Sequence, residues 1–126
     1  MTGYGHTIDN RDFDALERLF ATDAKASYAG RPCVEGAGAI AAWVKATTTT
    51  VTFSQHLLQI MDMTIDGDTA GATVNLQALQ VFSEQPTTAQ LLAGRYTMAL
   101  ERGDNGNAWL ITELTLTVGW RGTAIT

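Results

Sequence analysis

From Phe13 onward, apolar residues recur at helical spacing: Phe13, Leu16, Leu19 and Phe20, with Asp14, Glu17 and Arg18 between them. Asp12 stands where an N-cap is wanted, and Asp14 puts a carboxylate in the first turn. The pattern predicts a helix that ends near Thr22-Asp23. A short strand is expected over Ala24 to Ala29, followed by a turn at Gly30-Arg31-Pro32. A second helix is expected from near Gly36, with Ile40, Trp43 and Val44 as its apolar stripe. The run Thr47-Thr48-Thr49-Thr50 is β-branched throughout, so it ends that helix and leads into strands.

The second half has the pattern of strands. Val51 to Ile65 is closed by Asp66-Gly67, a favoured hairpin turn, and Thr69 to Phe82 follows. After a loop at Ser83-Glu84-Gln85-Pro86, a third strand is expected over Gln90 to Glu101. A turn over Gly103-Asp104-Asn105-Gly106-Asn107 leads to a fourth, Trp109 to Trp120, and a frayed tail from Arg121 to Thr126. Helices first and a long antiparallel meander afterwards predict an α+β fold. Strands this long bend, and a curved antiparallel sheet wrapped around N-terminal helices encloses a pocket. With no repeat, linker or composition break, residues 1–126 are expected to form a single domain.

Composition narrows the function. A chain of 126 residues is a common size for one domain and can bury a core without staples. The formal charge is −5, and the eight basic residues are scattered, so no basic stripe exists to displace counterions and nucleic acid is not an expected partner. No apolar run approaches the ~20 residues of a membrane span, so no membrane is expected as partner. Met1 to His6 lacks the basic end and apolar centre of a signal peptide, so a cytoplasmic location is expected. The one cysteine, Cys33, allows no intramolecular disulfide and is expected to be a small buried filler. Two histidines and a cysteine without close spacing make no zinc site, and Gly36-Ala37-Gly38 does not open a phosphate loop. No metal and no cofactor are expected.

The candidate chemistry rests on few residues. His56 lies in the apolar stretch Phe53-Ser54-Gln55-His56-Leu57-Leu58. A neutral imidazole there can take a proton from carbon or oxygen and return it, given a carboxylate to orient it. The other reading is a satisfied core or surface histidine. Asp9 can supply the carboxylate if helical phase runs back from Phe13. Otherwise it ends the first helix in a turn with Asn10 and faces water. Tyr4, Tyr28 and Tyr96 can each offer a phenol to a carbonyl or leaving oxygen, or be ordinary packing. Trp43 and Phe53 are expected as pocket wall. His6 is expected at the surface, and Met61, Met63 and Met98 as adaptable packing.

The order of these signals resembles the SnoaL-like family of the nuclear-transport-factor-2-like superfamily. Tyr4, Asp9, Asp12, Leu19-Phe20 and Asp23 resemble the family's opening helices, and Gly36, Ile40 and Trp43 its third helix. Ser54-Gln55-His56 resembles its Thr/Ser-x-His motif, Asp66 to Ala70 its hairpin, and Gly94-Arg95-Tyr96 with Trp109-Leu110-Ile111 its last strands. The resemblance implies a cone-shaped α+β barrel, and a homodimer through the outer face of the sheet. It also implies a cofactor-independent lyase or isomerase acting on a small apolar substrate such as a polyketide, steroid or terpenoid. By resemblance to the scytalone and bile-acid dehydratase, dehydrochlorinase and ketosteroid-isomerase-like members, His56 and Asp9 are the acid/base pair and Tyr4 or Tyr28 assists. Two departures imply a less polar pocket than in those members. Asn75 to Leu79 has no histidine, and Leu114 falls where the dehydrochlorinase has an arginine. The alternatives are a non-catalytic ligand-binding or dimerisation protein and, more weakly, an epoxide hydrolase.

Overall fold

The computed structural model describes residues 2–103 and 108–126, and the expected turn residues 104–107 lie outside the described residues. Two short helices open the chain, α1 (Thr2–Asp9) and α2 (Phe13–Glu17), separated by Arg11 at φ 56°. Asp12 caps α2 by accepting from the Ala15 N–H at 3.1 Å. The helix is shorter than its periodicity predicts. Phe20, expected on it, instead opens β1 (Phe20–Tyr28). Leu19 and Phe20 are drawn into pairing with the last strand: Phe20 lies opposite Ile111, and the Leu19 carbonyl accepts from the Ile111 N–H at 2.9 Å. Tertiary pairing here overrides a local helical signal.

After β2 (Val34–Glu35), α3 (Ala37–Thr47) buries Ile40 and Val44 and leaves Trp43 half-buried. Cys33, expected as buried filler, is exposed, because it sits in the turn between β1 and β2. Four long strands follow: β3 (Val51–Asp66), β4 (Thr69–Phe82), β5 (Thr88–Arg102) and β6 (Trp109–Ile125). The tail expected to fray is part of β6, since β5 starts early enough to pair Thr88 with Ile125 and Ala89 with Ala124.

The strand order is β2-β1-β6-β5-β4-β3. Every neighbouring pair is antiparallel except β1 with β6, which run parallel. The sheet is curved around the helices and does not close into a barrel. Irregularities between Ile60 and Asp62 and between Ala93 and Gly94 help it bend. At Gly94 the backbones approach so closely that a Cβ would stand 2.5 Å from the Thr117 carbonyl oxygen, so only glycine fits. The core lies between this inner face and the helices. Val74, Leu76, Met98 and Leu114 meet Leu16 and Ile40, all nearly or fully buried. No helix among the described residues is long and apolar enough to cross a membrane.

Candidate active site

Alternation along β3 puts Ser54, His56 and Leu58 on the inner face and Phe53, Gln55 and Leu57 on the outer one. Helix α1 crosses directly over the inner row. A Cβ on Gly5 would lie 3.1 Å from the His56 Cβ, so the helix passes close over the strand at a residue without a side chain. That contact carries Asp9, the last residue of α1, over Ser54 and His56. Asp9 thus ends the helix beside a turn at Asn10, as one reading had it, yet its carboxylate faces the strand rather than water.

The carboxylate is gripped by three donors. Its Oδ1 lies 2.6 Å from His56 Nδ1 and accepts from the Ser54 hydroxyl at 2.8 Å. Its Oδ2 accepts from the His56 backbone N–H at 2.8 Å. The His56 side chain is 8% exposed and that of Asp9 23%. Burial pushes the Asp9 carboxyl up. The bonds from the His56 ring, the His56 N–H and Ser54, with the attraction of the ring's charge, outweigh it and hold the group below its usual range. An ionised carboxylate at Nδ1 selects the tautomer with the proton on Nδ1 and leaves Nε2 as an acceptor. Nε2 has no protein partner among the described residues, yet it is not sealed from solvent-sized space.

That space is a cavity of about 280 Å³ between α1, α3 and the inner face of the sheet, and His56 lines it. Tyr4, Tyr28, Tyr96 and Trp43 line it as well. The Tyr4 and Tyr28 hydroxyls are 2.9 Å apart, so one phenol donates to the other and a single hydroxyl proton is left over. Tyr96 meets Tyr4 edge-on with centroids 5.3 Å apart, and Tyr28 stacks on Trp43 at 4.6 Å. Burial raises all three phenols. Tyr28 is pushed up to about 12 despite the opposing bond from Tyr4, and Tyr4 and Tyr96 are likewise raised well above the usual phenol value. At neutral pH they are donors.

Of the residues predicted from sequence, the structure brings Asp9, His56, Tyr4, Tyr28, Trp43 and Tyr96 to one place. Phe53 is a correction. It is 54% exposed on the outer face, because strand alternation sends it away from His56, three positions on. His6 is exposed and bonds Asn10 at 2.8 Å. Met98 is buried in the core, whereas Met61 and Met63 are nearly half exposed. Ile8, Leu76 and Ala78 supply apolar wall to the pocket. Arg31, Arg121, Gln80 and Gln90 also line it. Sequence reasoning missed these four, and the one available signal was the position of Arg31 three residues past Tyr28. Among the described residues, no group of three or more His, Cys, Asp or Glu could hold a metal ion.

The family model of the SnoaL-like domain matches residues 1–115, and the chain belongs to that family. No curated protein is similar enough in sequence to count as a relative. Solved structures do share the fold. A candidate aromatic ring hydroxylase from Novosphingobium aromaticivorans superposes with a TM-score of 0.84 at 23% identity, over 100% of this chain and 87% of that one. A candidate scytalone dehydratase from the same organism gives 0.86 at 20% identity, over 100% and 82%. A hexachlorocyclohexane dehydrochlorinase from Novosphingobium barchaimii gives 0.85 at 18% identity, over 98% and 84%. Likeness at this level of identity shows the architecture, and one architecture hosts many chemistries.

Proposed function

We propose that the chain is a cofactor-independent general acid/base enzyme of the lyase or isomerase kind, acting on a small molecule with an apolar body. The observation that carries this reading is that the Asp9-His56 pair and the Tyr4-Tyr28 phenol pair open on the same cavity. His56 Nε2 removes a proton from a carbon next to a carbonyl. The C–H electron pair moves toward the carbonyl oxygen, which accepts a hydrogen bond from the free phenol proton. Asp9 keeps its charge throughout and stabilises the imidazolium. In an elimination, the new imidazolium returns its proton to the leaving hydroxyl, which departs as water. In an isomerisation, the same proton goes back to another carbon. Tyr28 is 7% exposed against 1% for Tyr4, so Tyr28 meets the substrate and Tyr4 backs it. The candidate dehydratase and the dehydrochlorinase among the structural neighbours, both named for eliminations, support this direction.

The test is turnover of a panel of small β-hydroxy and β,γ-unsaturated ketones by wild type and by folded His56→Gln. Loss of at least the ~10²-fold typical of a general base supports the reading. Equal rates in the two proteins would leave the alternative, a ligand-binding protein without catalysis.

The same reading places a homodimer on the outer face of the sheet. Phe53, Leu57 and Trp120 are each more than half exposed there, and an open groove crosses the face beside Leu57, Gln77 and Arg95. Apolar side chains on an exposed sheet face favour coverage. Light scattering of wild type should give twice the chain mass, and Leu57→Glu should give the chain mass. A wild-type monomer at high concentration contradicts the assembly.

A further inference from the structure

The cavity that holds His56 has a charge that the chain as a whole does not. The sequence carries 13 acidic and eight basic residues. Among the described residues no acidic side chain lines the cavity, whereas Arg31 and Arg121 both do. Asp9 stands behind His56, engaged by its three donors. Neither arginine has a carboxylate partner among the described residues.

Topology explains why two arginines distant in sequence share one mouth. Strands β1 and β6 are the parallel pair, with Tyr28 opposite Leu116. Both chains leave that point in the same direction. One reaches Arg31 within the following turn and the other reaches Arg121 further along β6. The turn is held in an uncommon shape: Ala29 at φ 54° and Gly30 at φ 77° are both left-handed. A left-handed alanine costs about 1 kcal/mol or more, and strain of this sort gathers at functional sites. The Arg31 guanidinium lies over the Trp43 ring at 6.0 Å, and Trp43 in turn stacks on Tyr28. Gln80 and Gln90, opposite one another across β4 and β5, add two carboxamides at the lining.

We infer that Arg31 and Arg121 form a carboxylate-binding subsite at the mouth of the cavity, so that the substrate is an apolar body bearing a carboxylate at the end away from His56. This deepens the proposed function and rests on it for the word substrate, but the subsite itself is a property of binding. Guanidinium groups suit planar carboxylates because they offer paired donors in a fork. A cavity of about 280 Å³ sits at the small end of ligand pockets, so it takes a compact acid rather than a nucleotide-sized carrier.

The test uses binding and needs no turnover. Titrations of the full chain with 2-naphthoate, its neutral isostere 2-naphthamide and 2-naphthyl phosphate, by calorimetry, give three affinities. Naphthoate should bind at least about tenfold tighter than naphthamide at low salt, and the gap should shrink as salt rises. Arg31→Gln and Arg121→Gln should each weaken naphthoate several-fold and leave naphthamide unchanged. The double variant should abolish the preference. Folded His56→Gln should keep it, which separates this subsite from the catalytic reading. Equal affinity for acid and amide, or a preference that survives the double variant, overturns the inference. Tighter binding of the phosphate than of the carboxylate overturns the assignment of a carboxylate.

Discussion

The Asp9 carboxylate grips His56 twice, taking the ring through Oδ1 at 2.6 Å and the backbone N–H of the same residue through Oδ2 at 2.8 Å. One group therefore fixes both the strand position and the ring orientation of the proposed base. Residues that act as a unit do not contribute additively. His56→Gln and Asp9→Asn should each lower turnover by about 10²-fold or more. The double variant should be hardly slower than either. Rate losses that multiply would show that the two residues act separately.

The same contact has a signature in stability. Asp9 titrates below its ordinary value of 3.8 in the folded protein, so the unfolded chain takes up this proton first on acidification. Its contribution is complete above that ordinary value and is lost as pH falls through the lower folded one. In urea unfolding, wild type should exceed Asp9→Asn in stability at about pH 6, and the difference should narrow by about pH 3. A difference independent of pH would mean the carboxylate charge is not what stabilises the contact.

The phenols give the opposite sign. All three tyrosines of the chain are raised by burial. Their contribution is complete below the usual phenol value near 10 and is lost as pH rises toward the folded values. An ultraviolet titration should show almost no phenolate at about pH 10.5, followed by ionisation that accompanies unfolding. A tyrosine that ionises at the free value in the folded protein would mean that one phenol is not buried.

Gly5 sets the distance between α1 and β3, since a Cβ there already meets His56 at 3.1 Å. Gly5→Val adds a branched side chain to this contact. It should destabilise by about 1–3 kcal/mol and lower turnover further than the lost stability explains, because Asp9 moves with the helix. Thermal unfolding with rates measured on the folded fraction checks both. Unchanged activity would show that the helix position is not what sets the Asp9-His56 contact.

Much of this was legible in the chain. The four long strands, the Asp66-Gly67 hairpin and the helix from Gly36 follow from local patterns that tertiary contacts reinforce. Phe20 was misread because its helical spacing is as good as its strand pairing, and only the arrival of Ile111 decides between them. The Asp9-His56 pair was nameable through family resemblance, but local sequence left Asp9 open between core and solvent. The close approach of α1 to β3 that brings Asp9 over His56 passes through Gly5, a residue with no chemistry of its own. Phe53 could have been excluded by counting, since it and His56 differ by an odd number along one strand. The arginine mouth was hidden because the parallel β1-β6 pair cannot be read from two segments so far apart.

The central claim is that Asp9 fixes the His56 ring with Nδ1 on the carboxylate and Nε2 free toward the cavity, and it can be measured without a substrate. Long-range proton–nitrogen correlation of the two histidine rings, assigned with His6→Gln, reports which His56 nitrogen carries the proton at neutral pH. The account predicts a protonated Nδ1 and a bare Nε2 in wild type, with the two tautomers mixing in Asp9→Asn. A proton on Nε2 with Nδ1 bare in wild type, or a pattern unchanged by Asp9→Asn, would contradict it.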